Sequence, residues 1–438
     1  MRARGGAETS RREAMTQVGG VVTAAELQRN VEEAVQRTPV IDVHTHLYPA
    51  SFRGLCLWGI DELVNYHYLV TELFRSSPAT PAQFWALEKS QQADLIWDAL
   101  FVKNTPVSEA TAGVVGVMVK LGLDPCQPNL KQAREYFASV TVEQHIDRVL
   151  DLANVSDLVM TNDPFNPAER AAWERNEPCP ERFHRALRMD PMIDDWETAY
   201  AVMAAAGFKT SAYLTSQTAS EARRFLDSWI DRLRPLYLAV SLSFTFTYPD
   251  DSARTRMIRE VVLPTCLEHG IPFALMIGAS RRVNPALGEG GDSVGQADTS
   301  SVERICAENP GVRFLVTMLA RENQHALCVA ARKFSNLMPF GCWWFLNNPS
   351  IVEEITTERL ELLGATMIPQ HSDARIVDQL IYKWAHSRRT ISHALYESYS
   401  RLVADGYPLT RKQIDRDVAR MFSGNFRGWV GLGETGPS

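Results

Sequence analysis

The chain has 438 residues, of which 45% are hydrophobic and 22% are charged, a balance typical of a globular enzyme. The formal net charge is −7 and no basic stripe is visible, which argues against nucleic acid as a partner. No apolar run reaches the ~18 residues of a membrane-spanning helix, and the seven cysteines are scattered without C-x-x-C spacing. These features predict a cytoplasmic protein with reduced thiols and no membrane partner.

The first predicted element is a helix over residues 23–37. Thr23 is placed to cap it, and four apolar residues recur on one face: Leu27, Val31, Ala34 and Val35. Residues 1–22, up to the start of this helix, are rich in Arg, Gly, Ser and Thr, a composition also found in transit segments. Because they lack the apolar core of a secretory signal, we expect a flexible N-terminal extension here.

An apolar run over residues 39–47 contains His44-Thr45-His46 and predicts a short buried strand. Side chains two residues apart on a strand point to the same face, so the two histidines should project together. Two imidazoles on one strand supply half of a divalent metal site. The alternative is two ordinary histidines near a loop. Asp42 inside the run and the Leu-Tyr-Pro that follows it favour the metal site.

Residues 48–150 are predicted to be helical and poor in strands, with breaks at Pro78 and Pro106. A connection of this length is too long for a simple loop between strands, so we predict a helical insertion over the mouth of the main domain. The insertion contains His67 and Tyr68 among apolar neighbours. His67 is a candidate proton shuttle near neutral pH, and the alternative is a buried structural histidine.

Beyond residue 150, apolar strand-like runs alternate with amphipathic helices, which predicts a parallel sheet covered by helices. The candidate strands are residues 157–161, 183–189, 208–214, 237–246, 272–278, 313–319, 338–345 and 366–370. With the first strand there are nine candidates, whereas a closed (β/α)8 barrel needs eight, so 208–214 or 237–246 is the surplus. The predicted fold is an α/β TIM-type barrel built from residues 23–47 and 151–438, with C-terminal helices and the insertion after strand one.

Polar residues gather at the ends of these runs, where barrel enzymes place their active sites. Asp373 follows the last run and is the natural third metal ligand or general base, and its alternative role is a helix N-cap. Arginine suits a carboxylate because of its fork of donors, although a single arginine is more often a surface salt-bridge residue. Three runs are followed by arginines, which indicates an anionic substrate: Arg188, Arg321 and Arg375. Trp343 and Trp344 are expected to be half core and half pocket wall.

Together these motifs resemble the uronate isomerase (glucuronate isomerase) family of the amidohydrolase superfamily. The resemblance rests on these pieces: residues 40–47, the segment from Trp58 to Tyr68, residues 160–164, Arg188 with Asp190, Arg321 with Asn323, residues 341–345 and residues 372–375. It implies a barrel enzyme in which His44, His46 and Asp373 surround a divalent metal ion, zinc. It also implies that four residues face the sugar acid: His67, Tyr68, Arg188 and Arg375.

The sequence departs from the pattern of that family at three places. The family's strand-five His-Ile-Gly is Met276-Ile277-Gly278 here, so one imidazole is absent. Basic residues do not closely follow Tyr68, and Ala212-Tyr213 stand in place of an Asp-His pair. Because a thioether is a poor ligand for zinc, we expect Met276 to form an apolar wall of the pocket and the metal ion to be held loosely.

The leading hypothesis is an isomerase that interconverts aldose-type and ketose-type uronic acids, such as glucuronate or galacturonate, by proton transfer through a cis-enediol. Asp373 is the candidate base, and His67 or Tyr68 would relay a proton. One alternative is a metal-dependent hydrolase or decarboxylase of a small carboxylated substrate. Another is a barrel without catalysis that binds a carboxylated metabolite. The expected partner is a small carboxylated molecule, and we expect a homo-oligomer.

Overall fold

A parallel sheet of seven strands forms the centre of this computed structural model, which describes residues 20–433. The strand order follows the chain order, and a short antiparallel strand pairs with the fifth strand outside that path. The strands are Val40–Thr45 (β1), Val155–Asn162 (β2), Phe183–Arg188 (β3), Leu238–Ser243 (β4), Phe273–Ser280 (β5), Ser293–Val294 (β6), Phe314–Met318 (β7) and Leu337–Pro339 (β8). Residues 1–19 of the predicted extension lie outside the described part of the chain.

Helices separate the successive strands, as the alternating sequence pattern predicts. Those after β2 are Pro167–Glu174, Asp190–Asp194, Trp196–Ala205, Ser216–Leu233, Ala253–Met257, Leu263–His269, Ser300–Glu308, Gln324–Ala331 and Pro349–Leu363. The C-terminal helices are Gln379–Ala404, Arg411–Ala419 and Asn425–Val430. Short 3-10 segments are Ala50–Leu55, Pro285–Gly291, Arg321–Asn323 and Trp344–Leu346, and π-helical turns are Asp98–Val102, Ile258–Val262 and Arg420–Gly424.

The chain before β1 and the long connection from β1 to β2 are also helical. Helix Ala24–Arg37 precedes β1, with Thr23 at its N-cap as the sequence predicts. After the 3-10 segment Ala50–Leu55, the α-helices of the connection are Ile60–Val64, His67–Ser76, Pro81–Trp85, Lys89–Trp97, Glu109–Leu121, Lys131–Ala138 and Val142–Ala153. No helix within residues 20–433 is long and apolar enough to cross a membrane. The cysteines at all seven positions are free thiols.

Both edges of the sheet are hydrogen-bonded to the segment 366–374, which contains the last predicted strand. Four backbone bonds make the connection: Gly341 N–H to the Ile368 carbonyl (2.9 Å), Ile368 N–H to the Pro339 carbonyl (3.3 Å), Asp373 N–H to the His44 carbonyl (3.2 Å) and His46 N–H to the Ala374 carbonyl (2.7 Å). The segment forms an isolated bridge between Phe340 and Ile368 rather than a strand. A parallel α/β sheet that curls in this way is compatible with a TIM-type fold.

The surplus candidate strand is 208–214, which is a loop, whereas the run 237–246 contains β4. Polar side chains in the loop bond locally, and Thr210 Oγ1 donates to the Tyr200 carbonyl (2.8 Å). Tyr213 is 80% exposed, and Thr215 then caps the next helix. Hydroxyl groups that satisfy nearby backbone atoms thus compete with strand pairing in this segment.

Apolar side chains pack on both faces of the sheet, as expected for parallel strands. On β4, Ala239 belongs to an inner cluster, whereas Leu238 and Val240 belong to the larger core. The inner cluster also includes Trp343 and Trp344, which follow β8. It therefore extends to the carboxyl ends of the strands, where the candidate site lies.

Candidate active site and metal centre

The structure brings His44 and His46 from β1 next to Asp373. Asp373 Oδ1 lies 3.3 Å from His46 Nε2 and 3.8 Å from His44 Nε2, and the three residues could hold one metal ion. The register of β1 against β2 shifts between Asp42 and Thr45, so the strand is not regular here. The next helix begins only at Gln379, so Asp373 is not its N-cap.

The hydroxyl group of Tyr237 orients the His44 ring. It donates to the Val43 carbonyl (2.7 Å), so its oxygen accepts from His44 Nδ1–H at 3.0 Å. The hydrogen-bond network therefore assigns the proton of this imidazole to Nδ1. The Nε2 lone pair is left free on the side of Asp373.

The hydroxyl group of Thr161, at the end of β2, orients the His46 ring. It donates to the Thr45 carbonyl (3.2 Å) and accepts from His46 Nδ1–H at 2.9 Å. Hydrogen bonds of this kind fix the tautomer and the ring orientation of metal-binding histidines. Nothing in the strand pattern identifies Tyr237 and Thr161 as partners of the histidines, because their positions depend on the neighbouring strands.

Three atoms that accept hydrogen bonds face one another, and no hydrogen lies between them: His44 Nε2, His46 Nε2 and Asp373 Oδ1. Burial lowers the pKa of both His44 and His46, so both rings are neutral near pH 7. The Asp373 Oδ1 atom is buried and has no hydrogen-bond partner. Two neutral imidazoles and a carboxylate fit a divalent cation such as zinc and leave a coordination position open.

A second buried carboxylate, Asp42, joins β1 to the segment that carries Asp373. Asp42 Oδ1 accepts from the Ser372 backbone N–H (3.0 Å), and Oδ2 accepts from Trp384 Nε1–H (2.8 Å). Burial raises the pKa of Asp42 to about 6, although these hydrogen bonds act in the opposite direction. Asp373 itself has a left-handed backbone with φ of 51°, a conformation that its surroundings must hold. An acidic residue inside an apolar strand is the sequence feature that points to this anchoring role.

His371 fills the space beside His44. The ring centroids are 5.2 Å apart, His371 is fully buried, and neither of its ring nitrogens has a hydrogen-bond partner. Gly341 makes room for this ring, because a Cβ there would lie 1.9 Å from His371 Cδ2. With φ of 66°, Gly341 is required both by the contact and by its backbone conformation.

Gly341→Ala should therefore destabilise the protein by about 2–4 kcal/mol, because overpacking adds to the strain of a left-handed alanine. Gly270→Ala is the matched control, since Gly270 has φ of 64° and no atom lies within 4 Å of the position that its Cβ would take. The free energies of unfolding are compared by denaturant titration. Equal losses in the two variants would contradict the packing argument.

His67 and Tyr68 begin the helix His67–Ser76, and the His67 ring centroid lies 6.4 Å from that of Trp344. His67 Nε2 and the Tyr68 hydroxyl are buried without a hydrogen-bond partner. Burial lowers the pKa of His67 to about 3, and Arg375 acts in the same direction. Burial raises the pKa of Tyr68 well above its ordinary value. Both groups are therefore neutral near pH 7. The gain and loss of charge near neutral pH that the ordinary pKa of a histidine suggests does not apply to His67.

Two of the three predicted arginines lie near the candidate site. The charge of Arg188 acts on His44 and His46, and that of Arg375 acts on His46 and His67. Arg188 ends β3 and is ion-paired with Asp190, and its Nη2 lies 3.4 Å from Ser241 Oγ. Arg375 follows Asp373 by two residues and donates from Nη1 to Glu289 Oε2 at 2.7 Å. Both guanidinium groups therefore already carry a carboxylate partner from the chain.

The structure does not bring Arg321 to the site, which corrects the prediction from its place after a strand. The Arg321 side chain is 56% exposed and pairs with Glu354 on helix Pro349–Leu363 at 2.9 Å. The 3-10 turn Arg321–Asn323 instead buries Asn323, whose side chain bonds the Ala297 backbone (2.8 and 3.0 Å). The direction of a side chain in such a turn is not visible in the sequence.

Trp343 and Trp344 are both buried, as expected for residues that belong partly to the core. Trp344 stacks on Phe345 with ring centroids 4.6 Å apart, and the Arg281 guanidinium carbon lies 5.4 Å from the Trp344 ring centroid. The Trp344 Nε1–H is buried without a partner. An unpartnered donor close to His67 makes Trp344 a candidate contact for a polar ligand.

Comparison with solved structures identifies the family. The chain is similar to a uronate isomerase from Bacillus halodurans C-125, with 49% identity and a TM-score of 0.93 over 94% of this chain and 98% of that one. The chain belongs to the uronate isomerase family. Two further structures share the fold. A glucuronate isomerase from Caulobacter crescentus is 15% identical, with a TM-score of 0.75 over 94% of this chain and 95% of that one. A uronate isomerase from Thermotoga maritima is 14% identical, with a TM-score of 0.72 over 94% of this chain and 98% of that one. No protein-family model and no curated protein matches the chain.

In this member of the uronate isomerase family, Met276 stands where the resemblance of the motifs led to the expectation of a histidine. Met276 is 2% exposed and lies in the inner apolar cluster together with Val43 and Trp343. Within the described residues, the cluster of possible metal ligands consists of His44, His46 and Asp373, without a ligand from β5. The thioether thus adds apolar surface to the inner cluster.

Proposed function

We propose that the chain is an isomerase that interconverts aldose-type and ketose-type uronic acids, such as glucuronate or galacturonate. The observation that carries the proposal is 49% identity to a uronate isomerase over nearly the whole of both chains. The three-residue centre of His44, His46 and Asp373 supports it, because their ligand atoms lie within 4.8 Å of one another and could hold one metal ion. The enzyme would bind a small carboxylated substrate.

In this proposal a proton leaves C2 of the sugar and is delivered to C1 through a cis-enediol, while a proton moves between the two oxygens. Asp373 is the carboxylate placed to take and return the carbon-bound proton. The neutral Tyr68 hydroxyl would donate a hydrogen bond to a sugar oxygen, and His67 would relay a proton beside it. A divalent metal, zinc in this proposal, would be held by His44, His46 and Asp373 and would polarise the hydroxy-carbonyl group when bound.

Arg188 and Arg375 would bind the carboxylate of the uronic acid, because a guanidinium group offers two parallel donors to such a group. Trp343 and Trp344 would form the wall of the pocket. Arg321, which is exposed and paired on an outer helix, has no part in this arrangement.

The proposal also covers the closure of the barrel, the helical cover over the site, and the location and oligomeric state of the enzyme. The segment 366–374 would close the sheet as the eighth strand of a (β/α)8 barrel, which its hydrogen bonds to both edges support. Residues 48–150 would form a helical cover over the site, since they supply His67 and Tyr68. The enzyme would be a cytoplasmic homo-oligomer, and its free cysteines are in keeping with a reducing compartment.

A hydrolase or decarboxylase has weaker support. A putative metal-dependent hydrolase from Lactobacillus casei is 12% identical with a TM-score of 0.53, over 92% of this chain and 97% of that one, a likeness that concerns the fold alone. The experiment is metal analysis of the purified protein, followed by mass analysis of products from hexuronates and from small carboxylated amides and lactones. We expect bound divalent metal and a hexuronate product of unchanged mass. Products that gain water or lose carbon dioxide, or no turnover by the metal-loaded protein, would contradict the proposal.

A further inference from the structure

Arg375, a proposed ligand of the substrate carboxylate, already has a carboxylate from its own chain within reach. The Glu289 Oε2 atom accepts from Arg375 Nη1 at 2.7 Å. The Arg375 side chain is 35% exposed and that of Glu289 is 71% exposed, so the pair is accessible to solvent and does not lie in the core. Glu289 therefore takes up part of the donor fork that the carboxylate of a uronic acid would use.

The backbone that carries Glu289 is packed against neighbouring elements, whereas the side chain is 71% exposed. Glu289 lies on the 3-10 segment Pro285–Gly291 between β5 and β6. Trp85 Nε1–H donates to a carbonyl group of this segment at 2.9 Å. A Cβ on Gly290 would lie 3.1 Å from the His67 carbonyl oxygen, so the segment packs directly against the helix that begins with His67. Release of Arg375 thus requires only a rotation of one exposed side chain.

We propose that Glu289 is a positioning residue, whose carboxylate holds Arg375 until the carboxylate of a uronic acid displaces it. This inference rests on the proposed function. A uronic acid replaces the ion pair between Arg375 and Glu289 with an ion pair between Arg375 and its own carboxylate. The free energies of the two ion pairs are therefore nearly equal. A neutral aldose has no charge to offer Arg375, and binding it in the same pose would leave Glu289 in place or Arg375 without a carboxylate. Glu289 therefore competes with uronic acids, and not with neutral sugars, for Arg375, and it lowers the affinity for the acids.

The test is the Glu289→Gln variant, which keeps the size of the side chain and removes its charge. Its KM for glucuronate should fall about two- to five-fold, the range expected for the loss of an exposed ion pair, while kcat is unchanged. The difference from the native enzyme should shrink at high salt, because exposed charges are screened. A purely structural role of Glu289 would not produce this salt dependence.

Glu354→Gln is the matched control. Glu354 forms a similar pair with Arg321, and the two side chains are 50% and 56% exposed on the outer surface. We expect its KM and kcat to equal those of the native enzyme. An unchanged or higher KM in Glu289→Gln, or a loss of kcat, would overturn the proposal, because Glu289 would then be idle or would orient Arg375 for binding.

The failure of the proposed function would look different, since neither the native enzyme nor Glu354→Gln would then isomerise any hexuronate. In that case calorimetric binding of glucuronate to the same proteins decides the role of Glu289. Tighter binding by Glu289→Gln supports displacement by a carboxylate. Equal or weaker binding overturns it.

Discussion

The Asp373→Asn variant should lose metal binding and isomerase activity together. Asp373 is the one charged residue of the three-residue centre, and its Oδ1 faces the Nε2 atoms of His44 and His46 at 3.8 and 3.3 Å. The amide keeps the shape but loses the negative charge that a divalent cation needs and that a base needs. We expect kcat/KM to fall by about 10³-fold or more, measured by steady-state kinetics together with the metal content of the purified protein.

Asp157→Asn is the control for this change. Asp157 is a carboxylate on β2 that pairs with His184 and Arg427 at 3.3 and 3.5 Å, and both partners lie outside the centre. This variant should retain metal and activity. If Asp373→Asn binds a full equivalent of metal and turns over at the native rate, Asp373 is neither ligand nor base, and the account of the site is wrong.

The Tyr237→Phe variant should bind the metal about 10–100-fold more weakly, because loss of a partner that orients a ligating histidine typically has this effect. Without the hydroxyl, His44 Nδ1–H loses the acceptor at 3.0 Å and the Val43 carbonyl loses a donor at 2.7 Å. The ring is then free to turn or to change tautomer. Affinity is measured by competition with a chelator of known strength.

Tyr399→Phe serves as the comparison, since it also removes a tyrosine hydroxyl from a buried residue. The Tyr399 hydroxyl bonds Asp417 at 3.1 Å among the C-terminal helices. Both variants should lose a similar amount of stability, and only Tyr237→Phe should lose metal affinity. Native metal affinity in Tyr237→Phe would show that the hydroxyl does not orient His44 and would remove the tautomer argument.

The sequence was sufficient to predict that His44, His46 and Asp373 come together, but not to identify the residues that orient the two histidines. His44 and His46 could be paired because they follow an apolar strand, and Asp373 could be placed because it follows the last run of the barrel pattern. Tyr237 and Thr161 could not be assigned, because each reaches its histidine from a different strand. That contact depends on how the strands are aligned with one another, which a single sequence does not display.

Arg321 and the run 208–214 show where local patterns mislead. Arg188 ends a strand and Arg321 follows one, but the 3-10 turn directs Arg321 to Glu354 on an outer helix. The run 208–214 is apolar at its ends, yet its hydroxyl side chains bond nearby carbonyl groups and hold a loop. In both cases a side-chain interaction decides the outcome, whereas the alternation of strands and helices, which depends on many residues, was predicted correctly.

The most direct test of the central claim follows glucuronate labelled with ¹³C at C1 by NMR, using the metal-loaded enzyme and the Asp373→Asn variant. With the native enzyme, the labelled carbon should change from the hemiacetal carbon of the aldose to the hydroxymethylene carbon of the ketose, without a change in mass. The variant should leave the label unchanged. A label that stays in place with the native enzyme, or a product that has gained water or lost carbon dioxide, would contradict the account.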